Sequence, residues 1–168
     1  MKIQLCFCKW DKYFSNAVRL ITGEEFSHVG IGYIDKNNNY QVWEALNDGF
    51  VHTKNANYML DNKYVEIVTI SVKHVSEDDF LGIISKYEGK GYDWISIINI
   101  LTMLIFKKSF LNIKGHRLLI CSEAVALILK DLDIVDIGKH LNKDEDYIRP
   151  QEIFDYFKKK HNKSIKKK

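Results

Sequence analysis

The sequence predicts an α+β fold in which a small antiparallel sheet packs against helices. Runs typical of strands are concentrated in residues 1–72, and runs typical of helices lie between and after them. The chain has 168 residues, of which 46% are hydrophobic, so it is long enough to bury a core of its own. Because no repeat or flexible linker interrupts it, we expect one domain at residues 1–157 and a Lys-rich, disordered tail at 158–168.

Four runs predict the strands of the sheet. Residues 1–9 (MKIQLCFCK) alternate well enough for a first strand. Residues 26–34 (FSHVGIGYI) and 40–46 (YQVWEAL) flank a cluster of Asp and Asn, which predicts a hairpin. Residues 64–72 (YVEIVTISV) show the clearest alternation and predict a further strand.

Helical patterns lie between these strands and after them. Residues 11–23 (DKYFSNAVRLITG) carry apolar residues at helical spacing and end on a glycine, a common helix stop. A second helix is predicted after Ser76, which precedes an acid-rich first turn. The apolar residues at 118–130 (LLICSEAVALILK) predict an element at the centre of the core, and Pro150 predicts the start of a last, short helix.

The longest apolar run, residues 94–106 (WISIINILTMLIF), contains 13 residues. A membrane-spanning helix needs about 20 residues, so this run predicts a core helix, with a helix lying in a membrane interface as the alternative. No secretory signal is evident at the start of the sequence. We therefore expect a cytoplasmic protein.

The three cysteines predict free thiols rather than a disulfide framework. Cys6, Cys8 and Cys121 are few and unevenly spaced, and a protein without an export signal meets a reducing environment. Cys6 and Cys8 alternate within one predicted strand, so both face the same side, where small buried hydrophobic residues are expected. The spacing of Cys and His does not match a zinc site, and no metal or organic cofactor is expected.

The formal net charge of +3 comes from the end of the chain. The last eleven residues (KKKHNKSIKKK) hold seven lysines and no acid, so the rest of the chain carries 18 basic against 22 acidic residues, a net charge of −4. A mildly acidic body does not fit a nucleic-acid-binding groove, so no nucleic-acid partner is expected. The tail could add weak contact with an anionic membrane surface, about 1 kcal/mol for each lysine near it.

The predicted hairpin contains a histidine and a carboxylate that can meet. Side chains alternate along a strand, so His28 and Gly30 share a face. If the loop has five residues, 35–39, then Gly30 lies opposite Glu44, and His28 lies on the diagonal from Glu44, roughly 7–8 Å away between backbones. A three-residue loop would put His28 and Glu44 directly opposite each other, and loops of even length would put them on different faces of the sheet. Gly30 leaves room for the imidazole and the carboxylate to approach. The alternative is an ordinary strand histidine whose hydrogen bonds are made within the core or at the sheet edge, next to a glutamate that is exposed to solvent.

Cys121 begins a helical pattern in which Val125 and Leu129 lie on its own face. A cysteine in the first turn of a helix faces the positive end of the helix dipole and unpaired backbone N–H groups, both of which favour the thiolate. The same N–H groups can hold an oxyanion during acyl transfer. A buried structural cysteine is the alternative. With His28 and Glu44, Cys121 would supply a nucleophile, a base and a group that orients the base.

Four motifs in a fixed order resemble the circularly permuted branch of the NlpC-type papain-like cysteine hydrolases: FSHVGIGY (26–33), VWEA (42–45), GYDW (91–94) and CSEAV (121–125). This branch includes the YiiX-like proteins and, more distantly, the relatives of lecithin–retinol acyltransferase. In its pattern a strand histidine comes first, a polar residue second and a helix-start cysteine last, whereas classical members begin with the cysteine. The resemblance covers nearly all of residues 1–157.

The resemblance implies a permuted papain-like (NlpC-type) fold, in which a small antiparallel sheet or half-barrel packs against helices. It implies a catalytic triad with Cys121 as the nucleophile, His28 as the base and Glu44 as the orienting residue. Tyr92 matches the Tyr-Asp element of the family, and the resemblance implies that its hydroxyl contributes to the oxyanion pocket. Arg149 departs from the Thr/Ser-Pro step that often precedes the last helix in the family, so no chemistry is assigned to it.

We therefore expect a cysteine-dependent hydrolase or acyltransferase that acts on an amide, ester or thioester bond of a small molecule, lipid or peptide. The absence of an evident export signal departs from the family members that cut peptidoglycan and argues against that substrate. The alternative is a non-catalytic papain-like module that retains these residues for structural reasons and binds a lipid or a protein.

Overall fold

A computed structural model of the protein describes residues 1–9, 13–54, 56–60, 65–93 and 118–165. Its largest feature is a five-stranded antiparallel sheet. The strands are β1 (Lys2–Cys8), β2 (His28–Ile34), β3 (Tyr40–Leu46), β4 (Gly49–Lys54) and β5 (Val65–Ser71). They are ordered β4-β3-β2-β1-β5, so β4 and β5 form the two edges of the sheet.

Helices accompany the sheet along the described part of the chain. They are α1 (Tyr13–Thr22), α2 (Glu77–Ile84), α3 (Cys121–Asp131), α4 (Ile137–Leu141) and α5 (Pro150–Ile165). A short parallel pair, β6 (Gly91–Tyr92) and β7 (Leu118–Leu119), ends directly before α3. The arrangement confirms the predicted α+β class with an antiparallel sheet packed against helices.

The four strands predicted from the sequence are present as β1, β2, β3 and β5, and β4 is a strand that the sequence analysis does not assign. β4 follows β3 after a two-residue connection, because Leu46 lies opposite Gly49. The two connecting residues are Asn47 and Asp48, both common in turns, and Gly49 follows them. Gly49 has a φ of 106°, which glycine adopts without strain. The second half of β4, His52-Thr53-Lys54, is polar, so the strand lacks the apolar alternation from which the other strands are predicted.

One face of the sheet builds the main core with the helices. Along β1, Ile3, Leu5 and Phe7 are fully buried in this core, as the two-residue period of a strand requires. α3 packs against β2 and β3, and its Val125 and Leu129 are fully buried in the same core. Burial of apolar surface stabilises the folded state by about 25 cal/mol per Å². The packing of these side chains therefore holds α3, including its first residue, in a fixed position relative to the sheet.

The opposite face of the sheet carries a smaller group of buried side chains, here called the second cluster. Its buried members are Cys6, Cys8, Val42, Ala56 and Val65, with Tyr40, Tyr58 and Ile67 packed against it. Cys6 and Cys8 are each 1% exposed, which confirms the prediction that they are small buried residues of one face. Since β4 and β5 are opposite edges, the connection that carries Ala56 and Tyr58 crosses this face.

The β2–β3 hairpin has the register required for the histidine and the glutamate to meet. Ile34 lies opposite Tyr40, which gives the five-residue loop at 35–39. The Asp35 carboxylate closes this loop by accepting hydrogen bonds from two of its backbone N–H groups, at 2.8 and 2.9 Å. The register confirms the loop length on which the hairpin prediction depends.

Gly32 is required because β2 and β3 approach each other closely. A Cβ atom at Gly32 would lie 2.0 Å from the backbone oxygen of Gln41, which cannot turn aside as a side chain can. We expect Gly32→Ala to lower the free energy of unfolding by at least about 1–3 kcal/mol, as overpacking substitutions do. Urea denaturation followed by circular dichroism would measure this loss.

Gly82→Ala in α2 provides the matched control for that prediction. Nothing lies within 4 Å of a Cβ atom at Gly82, and alanine is favoured over glycine inside a helix by about 0.5–1 kcal/mol. The same substitution should therefore stabilise the protein at one site and destabilise it at the other. Equal unfolding midpoints for the two variants would contradict the steric argument.

The last described helix covers the end of the predicted domain and the start of the predicted tail. α5 begins at Pro150, as predicted, and continues to Ile165, so it includes part of the Lys-rich segment. None of the described helices is long and apolar enough to cross a membrane. The core helix predicted at 94–106 lies outside the described residues and stays a prediction.

Candidate active site

His28 and Glu44 form a buried pair on the face of the second cluster. His28 begins β2 opposite Cys8 and is 7% exposed, and Glu44 is 2% exposed. His28 Nε2 lies 2.8 Å from Glu44 Oε2, which is hydrogen-bonding distance. The alternative that Glu44 is an exposed glutamate is therefore wrong.

Gly30 leaves the room in which this pair forms. A Cβ atom at Gly30 would lie 3.0 Å from Val42 Cγ1 and 3.4 Å from Glu44 Cβ. A side chain there would press on the carboxylate side chain that His28 contacts. The glycine thus allows the diagonal approach that the sequence predicts.

Cys121 is the first residue of α3 and lies against the start of β2. It is 6% exposed, and its thiol lies beside the His28 side chain and the backbone N–H groups of Val29 and Ser122, which are close enough to lower its pKa. His28 Nε2 contacts Glu44, and the His28 side chain also interacts with Cys121. The structure therefore brings the three predicted residues into one chain of contacts, Cys121–His28–Glu44.

Local features of the chain fix the start of α3 at this point. The backbone N–H of Ile120, the residue before the helix, donates to Glu123 Oε2 at 3.3 Å. Ser122 Oγ donates to the backbone oxygen of Ile148 at 2.5 Å and is buried. The pairing between β2 and β3 runs from the hairpin loop back to Ile31, which lies opposite Trp43. It does not include the first residues of β2, and α3 packs against β2 at this start, which β3 leaves unpaired.

The electrostatics of the pair favour a thiolate beside an imidazolium. Burial alone would raise the pKa of Cys121, but the positive charge and hydrogen bond of His28 and two backbone N–H groups hold it below its ordinary value. Burial alone would lower the pKa of His28, but the Cys121 thiolate and then Glu44 raise it to about 10. Each group therefore favours the charged form of the other, a thiolate beside an imidazolium.

Tyr92 lies close enough to Cys121 for the charge of the thiolate to act on the Tyr92 hydroxyl group. β6 carries Tyr92 opposite Leu119 of β7, and the backbone N–H of Asp93 donates to Leu119 O at 3.1 Å. This pairing holds Tyr92 beside the start of α3. Burial, and then the negative charge of Cys121, raises the pKa of the Tyr92 phenol, so the hydroxyl keeps its proton. The contribution of Tyr92 to an oxyanion pocket stays a prediction.

Two further side chains contact the site that sequence reasoning missed. Thr53 Oγ1 and the Tyr58 hydroxyl donate to Glu44 Oε1 at 2.8 and 2.6 Å. Thr53 could have been found from the Asn47-Asp48 turn, which places β4 beside β3 and hence beside Glu44. Tyr58 lies in the connection that crosses the sheet, and no local pattern in the sequence indicates that crossing.

Glu123 adds a second buried carboxyl group near the start of α3. Burial raises its pKa from 4.5 to about 7, against the hydrogen bond from Ile120, and the neighbouring Asp146 and Asp93 add to the rise. Glu123 is therefore partly protonated at neutral pH, which limits the negative charge beside Cys121.

Cys6, Cys8 and Cys121 are free and buried. Burial raises the pKa of both Cys6 and Cys8 far above the ordinary thiol value, so they remain protonated. Within the parts of the chain that the structure describes, no group of three or more His, Cys, Asp or Glu side chains could hold a metal ion.

These differences predict selective alkylation of Cys121. Because the thiolate is the reactive form and His28 lowers its pKa, the alkylation rate should persist well below pH 9.0, the ordinary pKa of the thiol. Cys6 and Cys8 should stay unmodified in the folded protein. Mass spectrometry after iodoacetamide treatment across pH 5–10 would measure all three sites in one experiment.

His28→Ala is the variant that tests the cause of this reactivity. Without the imidazolium, burial is opposed only by the two backbone N–H groups, so the pH profile of Cys121 should move upward toward or beyond the ordinary pKa. An unchanged profile in His28→Ala would show that the histidine does not activate the thiol.

The described fold is an α+β arrangement of the YiiX-like type. It is similar to a crystal structure described as the metalloprotein YiiX from Escherichia coli O157:H7, with a TM-score of 0.50 and 18% sequence identity. The similarity covers 80% of this chain and 67% of that chain. No family model and no curated protein matches the sequence. At this identity the likeness concerns the fold and confirms the YiiX-like part of the predicted resemblance.

Proposed function

We propose that the protein is a cysteine-dependent hydrolase or acyltransferase that acts on an amide, ester or thioester bond. The observation that carries the proposal is the continuous chain of contacts from the Cys121 sulfur through His28 to the buried Glu44 carboxylate. A nucleophile, a base and an orienting carboxylate in this order are the parts that acyl transfer needs. A purely structural role would not require a thiol, an imidazole and a carboxylate that are all buried and whose charges are complementary.

The proposal includes a permuted papain-like fold of the NlpC type. The motifs resembling that family run in the order histidine, polar residue and cysteine, and they correspond to β2, β3 and the start of α3. A sheet that supplies the base and a helix start that supplies the nucleophile support this assignment. The substrate would be a small molecule, a lipid or a peptide that carries the scissile carbonyl.

The first half-reaction forms an acyl-enzyme. The Cys121 thiolate attacks the carbonyl carbon, a C–S bond forms, and the carbonyl π electrons move to the oxygen. Backbone N–H groups at the start of α3 would stabilise this oxyanion, and Tyr92 is the candidate for a further donor. The imidazolium of His28 then donates its proton to the leaving amine, alcohol or thiol as the bond to that group breaks.

The second half-reaction releases the acyl group. Neutral His28 takes a proton from water, or from another acceptor, which attacks the acyl carbon. The C–S bond breaks and the thiolate–imidazolium pair is restored. Glu44 keeps its charge throughout, holds the imidazole by Nε2 and stabilises the imidazolium in each half of the cycle. Water as the acceptor gives a hydrolase, and another nucleophile gives an acyltransferase.

YiiX is described as a metalloprotein, which raises the question of a metal in this chain. The described residues do not fit a metal site, because no group of three or more His, Cys, Asp or Glu side chains among them is arranged so that it could hold a metal ion. His28 already contacts the Glu44 carboxylate through Nε2, and its side chain also interacts with the Cys121 thiol. The proposed reaction therefore assigns no step to a metal.

A substrate screen tests the proposal. Purified protein would be incubated with lipid, isopeptide and muropeptide substrates, and products would be followed by mass spectrometry together with any acyl adduct on Cys121. We expect turnover of at least one class and a transient adduct on that cysteine. Binding of a lipid or protein without turnover, combined with an unreactive Cys121, would instead favour a non-catalytic binding module.

A further inference from the structure

The Glu44 carboxylate is held by more groups than the histidine alone. Its Oε2 contacts His28, whereas its Oε1 accepts hydrogen bonds from Thr53 at 2.8 Å and from Tyr58 at 2.6 Å. An ionised carboxylate that is 2% exposed needs such donors, because a buried charge without partners is costly. The three-residue mechanism uses only the contact with His28, so the two hydroxyl groups need an explanation of their own.

The two hydroxyl groups reach Glu44 from different elements. Thr53 lies on β4, which pairs with the strand that carries Glu44. Tyr58 lies in the 3-10 turn Asn57–Leu60, in the connection that crosses the sheet from β4 to β5. Tyr58 packs against the second cluster on the same face as the carboxylate. The topology therefore places Thr53 beside Glu44 on the neighbouring strand, and it places Tyr58 above the face of the sheet that carries Glu44.

We propose that Tyr58 and Thr53 are positioning residues of the Cys121 site, which fix Glu44 Oε1 and keep the carboxylate ionised and directed at His28. This inference deepens the proposed function and rests on it for its catalytic meaning. Neither hydroxyl is required to react. Each acts through Glu44 on the imidazolium and, through the imidazolium, on the thiolate.

The other titratable groups that face Glu44 support this division of roles. Cys6 and Cys8 face it from β1, and burial above all raises the pKa of both thiols, so they stay neutral. Burial, followed by the charge of Glu44, raises the pKa of the Tyr58 phenol, which stays a donor. Burial would raise the pKa of Glu44 itself, but the hydrogen bonds from His28 and from the two hydroxyl groups hold it below its ordinary value. Among the described residues, the cation that faces the carboxylate is His28.

Tyr58→Phe removes one donor and retains the ring. The pKa of Glu44 should rise, and a protonated Glu44 no longer stabilises the imidazolium, so the thiolate should be lost at a higher pH. We expect the acid limb of Cys121 alkylation to move upward by about half a pH unit or more, since a hydrogen bond to a charged group is worth roughly one pKa unit. Alkylation followed by mass spectrometry gives this profile without any substrate.

Tyr40→Phe is the matched control. Tyr40 packs against the same second cluster as Tyr58, so the substitution removes the same atom from the same surroundings. Among the described residues, the Tyr40 hydroxyl is not a donor to Glu44. Its alkylation profile should match that of the wild-type protein. A Tyr58→Phe profile that coincides with the Tyr40→Phe profile would overturn the proposal.

A double-mutant cycle tests whether Tyr58 acts through Glu44. In a Glu44→Gln background, Tyr58→Phe should cause little further shift, because the charge it protects is already gone. A shift that persists undiminished in this background would overturn the proposal. If Tyr58→Phe fails to fold, Thr53→Val, compared with the hydroxyl-retaining Thr53→Ser, makes the same test on the second donor.

The experiment separates failure of this inference from failure of the proposed function. A low wild-type pKa of Cys121 with no effect of Tyr58→Phe would leave the Cys121–His28–Glu44 chain intact and remove only the positioning role. A wild-type Cys121 that reacts only near its ordinary pKa of 9.0 would remove the chain itself, and with it both proposals.

Discussion

Cys121→Ser is expected to abolish turnover of any amide, ester or thioester that the wild-type protein processes, with a loss on the order of 10³-fold or more. The reason is the difference between a thiol and a hydroxyl group at the same position. His28 and the backbone N–H groups lower the pKa of Cys121 and so favour the thiolate, the nucleophilic form. The serine hydroxyl is far less acidic, so the same surroundings would leave it protonated and poorly nucleophilic.

Binding should survive this substitution, because the serine is nearly isosteric and the helix start retains its N–H groups. Turnover would be measured as kcat/KM, and affinity by calorimetry with an unprocessed substrate analogue. Cys6→Ser is the matched control, since it makes the same change at another buried thiol whose pKa is raised rather than lowered. Full activity of Cys121→Ser would show that this cysteine is not the nucleophile and would end the triad assignment.

The strands could be predicted because their signals are local. Alternation in β1 and β5 and the Asp/Asn loop between β2 and β3 depend on residues that are neighbours in sequence. β4 shows the limit of that approach, because its second half reads His52-Thr53-Lys54 and lacks apolar alternation. Its turn, Asn47-Asp48 followed by Gly49, is a local signal of a hairpin, but the strand was not assigned from it. The order of the strands in the sheet is a tertiary property that no single run contains.

The candidate site was predictable to the extent that geometry follows from period and spacing. The two-residue period put His28 and Glu44 on one face once the loop length was fixed, and the helix pattern put Cys121 at an N-terminus. The contact between Cys121 and His28 joins residues that are far apart in sequence, and it was reachable only through the family resemblance. Tyr58 was beyond reach because its role depends on a connection that crosses three strands.

Glu44→Gln is expected to lower kcat/KM by about 10²–10⁴-fold, approaching the loss of about 10⁴ found when the aspartate of a serine-protease triad is replaced by its amide. The negative charge is the main reason. A partly solvated carboxylate would be screened by water, but Glu44 is 2% exposed, so its charge acts on His28 without that screening. Removing the charge should also move the alkylation profile of Cys121 to higher pH, because the imidazolium loses its counter-charge.

Hydrogen-bond geometry adds to the loss. Glu44 now accepts through both oxygens, from His28 on one and from two hydroxyl groups on the other. An amide has one oxygen and one NH₂ group. If the NH₂ group faces His28, it donates to Nε2 and forces the proton of a neutral ring to Nδ1, which disfavours the acceptor form that the thiol needs.

If instead the amide oxygen faces His28, both hydroxyl groups must turn from donors into acceptors within a buried site. Either orientation costs activity by a different route. Glu66→Gln on β5 is the matched control, since Glu66 pairs with Lys158 at the surface and makes no contact with the site. Steady-state kinetics of both variants, with the alkylation profile of Cys121, would decide the matter. Wild-type kcat/KM and an unshifted profile in Glu44→Gln would show that hydrogen bonding, without charge, is sufficient at this position.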